Sequence, residues 1–347
     1  MLVSLTYSKF YLSNWAESMR SLFDRHPWVF NRQRRFFLLM ASSAMVGSAC
    51  ASTAQTQKQS SGETLTIATK RIQHALGTAD VPVNPTRIVV VGYFTVEAMM
   101  ALGVQPIAAP AVIIDNLLHL PTVEGAIADI GVPRNPSFEK IAALNPDLIL
   151  TSKLFPQEDT YPLLSQIAPT VVLDADGHSE WQELTRLCAE TLGKETEAEQ
   201  LKANYEAKLQ TFKSQLDALP LQVSVASFYP EQITTYGKES FIGTVLDAAG
   251  LSRPPNQREG RNAQISIELL NEIDGDVLFV IKPQSQTELA GDVRAALEKI
   301  KENPLWNKLK AVENNQVYEV DTYWFGVGYI AANRILDDLT QYISKQA

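Results

Sequence analysis

Aromatic and basic side chains collect in the loops that follow the predicted strands of this 347-residue chain. Side chains of these types hold an anionic, partly apolar ligand through charge-assisted hydrogen bonds and ring faces. Because open α/β sheets bind ligands at the carboxyl ends of their strands, the loops are predicted to line one cleft. The predicted ligand-binding residues are Tyr93, Arg134, Lys153, Tyr229, Lys238, Arg261 and Trp324.

Motifs for catalysis or for a protein-bound metal are absent from the sequence. It contains no phosphate loop, no G-x-S-x-G elbow and no H-E-x-x-H pair. The histidines His26, His74, His119 and His178 are too widely spaced to converge on a metal, and His74 is interpreted as a structural hydrogen-bonding residue. Residues 326–331 match a dinucleotide fingerprint in letters, but one helix ends the chain after them, which favours a tight turn. We therefore expect no catalytic residue, no protein-ligated metal and no intrinsic cofactor.

Charge is unevenly distributed along the chain, whose net charge is -9. Residues 1–49 carry six Lys/Arg and two acids, a net +4, so the remainder carries -13. Phosphate binding needs clustered positive charge, which argues against nucleic acid as a partner. The only cysteines are Cys50 and Cys188, too few for a disulfide framework. Cys188 lies four residues beyond Leu184 on an apolar helical face and is predicted to be a small core residue.

Residues 1–50 have the pattern of an export signal. The pair at 34–35 is a twin arginine, and the uncharged run that follows it is too short to span a bilayer. Residues 47–50 resemble a lipoprotein signal that would place a lipid on Cys50, although Gly47 stands where leucine is usual. Ordinary cleavage after Ala49-Cys50-Ala51 is the alternative. The polar tether at 51–64 favours the anchor, so we expect a periplasmic lipoprotein exported by the twin-arginine route.

Apolar strands alternate with helices from residue 65 onwards, which predicts mainly parallel sheets covered on both faces. A long amphipathic helix over 194–219 interrupts this alternation, with Thr196 and Glu199 forming a capping box at its start. The flanking segments 65–193 and 220–347 are predicted to form two α/β lobes, which the helix bridges.

The two predicted lobes share a local sequence pattern. Residues 137–150 and 266–279 each contain a serine cap, a glutamate at the second helical position, a turn and an aspartate that leads into a strand. The glutamates are Glu139 and Glu268. They complement the helix dipole in the simplest interpretation, and in the functional one they form a pair of docking points, one on each lobe. Neither interpretation excludes the other.

Several segments give the chain a resemblance to a known family from about residue 65 to its end. They are residues 74–77, Pro82, Pro85, 87–90, 97–104, 138–150, 236–241, 265–279, 303–306 and 324–339. On these residues the chain resembles the iron-siderophore substrate-binding proteins of ABC importers, the ferrichrome/vitamin B12-type periplasmic binding proteins. The resemblance implies a class III architecture, in which two similar lobes are joined by one rigid helix and hold a ligand in a shallow site between them.

The resemblance also implies a ligand and a partner. The ligand would be a ferric siderophore that brings its own iron, and the partner an ABC transporter permease whose arginines meet Glu139 and Glu268. Arg134 lies near the position where hydroxamate-binding members hold an arginine, one residue closer to the glutamate. Hydroxamate, catecholate and citrate-type siderophores remain open, as do haem, cobalamin or a bare metal ion as alternative ligands. An exported two-lobed α/β enzyme is a remote alternative, and we expect a monomer.

Overall fold

The computed structural model describes residues 68–92, 94–110, 120, 127–154, 159–216, 221–230, 232–282 and 288–343. They belong to one unit that extends from Thr64 to Ala347. The strands in these residues are β1 (Thr69–His74), β2 (Gly77–Pro82), β3 (Ile88–Val90), β4 (Ala108–Ala109), β5 (Ala128–Asp129), β6 (Gly131–Val132), β7 (Asn135–Pro136), β8 (Leu148–Ser152), β9 (Thr170–Leu173), β10 (Val223–Tyr229), β11 (Gln232–Tyr236), β12 (Asn262–Ile265), β13 (Val277–Ile281) and β14 (Val317–Val320).

Helices connect and cover these strands. The α-helices of the described residues are α1 (Thr95–Ala101), α2 (Phe138–Ala143), α3 (Tyr161–Ser165), α4 (Trp181–Leu192), α5 (Glu195–Gln215), α6 (Phe241–Ala248), α7 (Glu288–Lys301), α8 (Lys310–Glu313) and α9 (Tyr329–Tyr342). Short 3-10 segments occupy Pro255–Gln257, Ile267–Ile273, Trp306–Lys308 and Thr322–Phe325. No helix in the described part of the chain is both long and apolar enough to cross a bilayer.

Ten of the described strands form two five-stranded sheets with the same strand order, and β1–β2 and β6–β7 form two antiparallel pairs. The N-terminal sheet runs β5-β4-β3-β8-β9 with every pair parallel. The C-terminal sheet runs β12-β11-β10-β13-β14, in which β11 is antiparallel to both of its neighbours. In each sheet the first strand of the chain is central, the next two lie on one side and the last two on the other. The predicted fold of two similar, mainly parallel α/β lobes is therefore confirmed.

One apolar cluster runs through both lobes. Alternate residues of a strand point to opposite faces of its sheet. In β3, Ile88 and Val90 face the shared cluster, while Val89 faces a smaller outer cluster. In β13, Phe279 faces the shared cluster and Leu278 a second outer one. The lobes are thus joined by buried side chains as well as by the bridging helix.

The bridging helix is shorter than predicted and begins without a capping box. Helix α5 spans Glu195–Gln215, and its N-cap residue Lys194 makes no side-chain capping hydrogen bond. Thr196 therefore lies inside the first turn, and Lys194 instead pairs with Glu197 at 2.7 Å. The predicted apolar stripe is present, since Tyr205 and Phe212 are buried. Helix α5 packs on α4 and α9.

Candidate ligand-binding site

The N-terminal sheet has its topological switch point between β3 and β8, and a ligand crevice is expected at the carboxyl edge there. The chain leaves these neighbouring strands towards opposite sides of the sheet, which is where open α/β sheets bind ligands. A Cβ at Gly92, just after β3, would lie 3.2 Å from both the Ser152 amide nitrogen and the Thr151 hydroxyl. The hydroxyls of Thr95 and Ser152 are buried and have no partner among the described residues. The floor of the crevice is therefore polar.

Charged residues stand above this floor and pair with one another. The Lys153 ammonium lies 2.8 Å from Glu180 Oε2 and 3.6 Å from Asp174 Oδ1. Asp176, two residues further on, accepts hydrogen bonds from the backbone of the following turn and a 3.0 Å bond from Arg261 Nη2. Burial raises the pKa of Asp176, but the backbone donors and Arg261 outweigh it, so the pKa is lowered overall. Because Arg261 precedes β12, this ion pair joins the two lobes.

Two loops of the C-terminal lobe form the opposite wall and hold each other in place. The Gly237 amide donates to the Arg261 carbonyl at 2.7 Å, and a Cβ on Gly237 would collide with the carbonyls of Glu259 and Gly260. Lys238 pairs with Glu259 at 2.9 Å. We name the whole set of ion-paired residues the cleft charge cluster: Lys153, Asp174, Asp176, Glu180, Lys238, Glu259 and Arg261.

Aromatic rings flank the cleft charge cluster on both sides. Phe94 meets the His178 ring edge-to-face with centroids 4.5 Å apart. Tyr236 meets Phe325 at 5.7 Å and stands opposite Asn262, the residue after Arg261. Burial, and then the charge of Arg261, lower the pKa of His178 to about 4, so this imidazole is neutral at neutral pH. The site combines ring faces with paired charges.

Glu97 lies in the first turn of α1 and is 2% exposed. Its carboxylate accepts from the Val327 amide at 3.0 Å and from the Ala331 amide at 2.8 Å, and so caps the start of α9. A Cβ on Gly326 or Gly328 would lie 2.9 or 3.0 Å from a carboxylate oxygen. The resemblance to a dinucleotide fingerprint thus reflects a tight turn around Glu97, as the sequence indicated.

The structure brings Lys153, Lys238 and Arg261 together but separates Tyr229 from them. Tyr229 pairs with the first residue of β11, and Lys238 follows the other end of that strand. Tyr229 and Lys238 were predicted at the same edge of the C-terminal sheet because the antiparallel direction of β11 relative to β10 was not predicted. Trp324 is fully buried and donates from Nε1 to Asp338 at 2.8 Å, so its ring does not face the cleft.

The other predicted positions have varied outcomes. Arg134 is exposed in the turn between β6 and β7, which follows β5 at the sheet edge that carries the crevice. Tyr93 and Cys50 lie outside the described residues. The interpretation of His74 is confirmed, because its Nδ1 accepts from the Leu76 amide and its Nε2 lies 3.2 Å from the Tyr161 hydroxyl.

Cys188 is confirmed as a core residue, fully buried on α4. Burial raises the pKa of its thiol to about 12. A thiol in this environment stays protonated at neutral pH and is inert as a nucleophile.

Glu139 and Glu268 occupy equivalent places in the two lobes. Each is exposed and lies just before the fourth strand of its sheet, within a helical segment capped by a serine. The Ser137 hydroxyl accepts from the Lys140 amide, and the Ser266 hydroxyl from the Glu268 amide, both at 3.3 Å. The second segment is a 3-10 helix, whereas the first is an α-helix.

The acids of the cleft charge cluster were not predicted from the sequence. Asp174 directly follows β9, as Lys153 directly follows β8, so its position was a signal, but the prediction rested on basic and aromatic residues alone. In the part of the chain that the structure describes, no group of three or more His, Cys, Asp or Glu side chains is arranged to hold a metal ion.

Comparison with known proteins agrees with this architecture. The family model described as periplasmic binding protein matches residues 88–323. The chain belongs to the periplasmic binding protein family. The probable siderophore-binding lipoprotein YfiY of Bacillus subtilis is 32% identical over 324 residues, which cover 89% of this chain and 97% of that protein. Staphylococcus aureus SirA complexed with staphyloferrin B superposes with a TM-score of 0.65 at 28% identity, over 79% of this chain and 98% of SirA. FeuA from Bacillus subtilis complexed with ferri-bacillibactin superposes with a TM-score of 0.65 at 26% identity, over 80% of this chain and 98% of FeuA.

Membership of this family decides between the classes of function considered from the sequence. The relatives are substrate-binding proteins, so the expectation of a binding protein rather than an enzyme is confirmed. The names of these relatives refer to siderophores and ferric citrate, which favours a ferric siderophore over haem, cobalamin or a bare metal ion as the ligand.

Proposed function

We propose that this protein captures a ferric siderophore outside the cytoplasm and delivers it to the permease of an ABC importer. The observation that carries the proposal is the similarity to a siderophore-binding relative over 97% of its length. The presence of two α/β lobes with the same strand order, with a cleft between them, supports it. The iron arrives with the siderophore as cargo, and the protein contributes a binding surface without an intrinsic cofactor.

The ligand would contact both walls of the cleft. Lys153 from the N-terminal lobe and Arg261 from the C-terminal lobe lie in the cleft charge cluster, with Lys238 beside them. The partly exposed rings of His178 and Phe325 supply ring surface on either side, backed by the buried rings of Phe94 and Tyr236. Tyr93 and Arg134 remain predicted contacts, whereas Tyr229 lies at the opposite end of β11 from Lys238. Trp324 leaves the predicted set because its indole is buried.

Glu139 and Glu268 are proposed to dock on basic residues of the permease, one glutamate for each half of the transporter. What supports this is their exposure and their equivalent placement before β8 and β13. An exposed carboxylate at the start of a helix also stabilises that helix, so both roles fit one residue.

The location and assembly of the protein are further proposals. We propose export by the twin-arginine route, lipidation at Cys50, the polar tether at 51–64, and action as a monomer. Relatives in Bacillus subtilis that are named lipoproteins support the anchor. The division into lobes at 65–193 and 220–347, bridged by 194–219, remains a proposal, supported by the position of α5 between the two sheets.

Titration of the purified protein against ferric siderophores tests the proposed function. Binding is followed by quenching of tryptophan fluorescence, with each iron-free siderophore as the matched control and haem and cobalamin as competing ligand classes. We expect saturable quenching by at least one ferric siderophore and none by its iron-free form. Absence of a response across hydroxamate, catecholate and carboxylate complexes would contradict the proposal.

A further inference from the structure

The cations of the cleft are already neutralised by acids of the same cleft. Lys153 is bonded to Glu180, whose Oε2 also accepts from the Asp176 amide at 2.9 Å. Asp176 in turn holds Arg261. The Arg261 carbonyl accepts from the loop that carries Lys238, and Lys238 is bonded to Glu259. The cleft charge cluster is therefore one continuous network that crosses from lobe to lobe.

The network carries almost no net charge. It contains three cations and four carboxylates, and His178 adds no charge because burial keeps its pKa at about 4. Arg134 and Arg258 on neighbouring loops would bring the total to only one positive charge. The segments between residues 93 and 343 that lie outside the described residues contain no Lys or Arg, and they do contain Asp115, Glu124, Glu158, Asp217 and Glu231.

The charge of a ferric complex depends on its chelating groups. A hydroxamate contributes one negative charge and a catecholate two, so iron(III) gives a neutral trihydroxamate and a tris-catecholate of charge −3. A trianion needs about three unpaired cations around it. Here it would have to break ion pairs and then lie beside the carboxylates released from them, and like charges at ~4 Å repel strongly near a protein surface.

We propose that the cleft is selective for ferric complexes of net charge between zero and −1, chelated mainly by hydroxamates, and disfavours trianionic tris-catecholates. This inference rests on the proposed function and deepens it by naming the ligand class. The partly exposed rings of His178 and Phe325, which pack on the buried rings of Phe94 and Tyr236, complement it, because a complex of low charge presents more apolar surface to a cleft.

The test uses three synthetic iron(III) chelates on one tripodal scaffold, so that size and shape are matched. Their arms are three hydroxamates, two hydroxamates with one α-hydroxycarboxylate, or three catecholates, with iron-centre charges of 0, −1 and −3. We expect the first two to bind at least tenfold more tightly than the third in fluorescence titrations of the full chain. Equal or tighter binding of the −3 chelate overturns the inference while leaving the proposed function intact. If none of the three chelates binds, both the proposed function and the inference on charge are contradicted. If natural ferric siderophores nevertheless bind in the titration described above, only the inference on charge is contradicted.

A pair of variants identifies the acids as the cause. The double substitution Asp174→Asn with Glu259→Gln removes one partner of Lys153 and the partner of Lys238, and both acids have exposed side chains. Each removed charge at ~10 Å from a trianion should tighten its binding roughly fivefold at low salt and about twofold at physiological salt, so the two together should tighten it roughly twentyfold and about threefold. The affinity for the neutral chelate should change by much less than the affinity for the −3 chelate.

The matched control is Glu298→Gln, which breaks a comparable ion pair with Lys301 on α7. It should alter no affinity. If the double variant binds the −3 chelate no better than the control does, the carboxylates do not set the selectivity and the inference fails.

Discussion

Replacing Glu97 by glutamine should loosen the contact between α1 and the start of α9. The two residues have nearly the same shape, so the change is chemical and not steric. A glutamine side chain offers one acceptor oxygen, whereas the Glu97 carboxylate uses both oxygens, one for the Val327 amide and one for the Ala331 amide. The new NH₂ group would face a backbone N–H at close range, leaving a buried donor without an acceptor.

The expected cost follows from these two hydrogen bonds. A hydrogen bond to a charged group contributes about 1.5–3 kcal/mol, and a buried donor left unsatisfied costs roughly 1–3 kcal/mol. Loss of the negative charge at the N-terminus of α9 removes up to about 1 kcal/mol more. Because these contributions overlap, we expect Glu97→Gln to lower the free energy of unfolding by ~2–4 kcal/mol. In a protein of this size that shifts the melting temperature by roughly 3–7 °C.

Urea denaturation and hydrogen exchange measure this effect. The matched control is Glu206→Gln, a substitution of an exposed glutamate on α5. Exchange at Val327 and Ala331 should accelerate in the Glu97 variant by about thirtyfold or more, since 1.4 kcal/mol corresponds to a factor of ten. A loss of stability no larger than that of the control, or unchanged exchange at both amides, would refute the reasoning.

Three further predictions concern other parts of the molecule. Burial of His178 lowers its pKa from 6.5 to about 4, so its contribution to folding stability should be constant above pH ~6.5 and fall by up to roughly 3 kcal/mol as the pH drops towards 4. His178→Gln should reduce this loss of stability at acid pH, measured by urea denaturation at each pH. An unchanged pH dependence in the variant would exclude His178 as the source. Cys188 should resist iodoacetamide at pH 8 until urea unfolds the protein, as peptide mass spectrometry would report, and labelling in the native state would contradict its burial. Glu139→Ala combined with Glu268→Ala should preserve siderophore affinity but abolish uptake in cells, and normal uptake would remove the docking role.

Local sequence signals predicted most of the elements that follow one another in the chain. Apolar runs located the central strands β3, β8 and β13, and Gly193, with a φ of 68°, ends α4 as expected. The repeated sequence pattern around Glu139 and Glu268 was sufficient to predict two similar α/β lobes. These features depend on neighbours within about fifteen residues, which the sequence displays directly.

Features that depend on distant partners were not predictable in the same way. The direction of β11 depends on which strand it pairs with, and its reversal moved Lys238 away from Tyr229. Glu97 meets the start of α9 across more than 200 residues of chain, so nothing nearby marks it as buried. The burial of Trp324 follows from packing on Phe279, with ring centroids 4.7 Å apart. In each case the strand direction or the burial of the residue depends on tertiary contacts, which the local sequence does not specify.

The shared apolar cluster determines when the N-terminal lobe can finish folding during synthesis of the chain. Ala331, Ile335 and Leu339 of α9 belong to the same buried cluster as Ile88 of β3. During synthesis the N-terminal sheet is complete long before α9 leaves the ribosome, so part of its apolar surface stays uncovered until then. Domains usually fold as units from the N-terminus onwards, whereas here long-range contacts delay closure. The first lobe is therefore completed by the last helix of the chain.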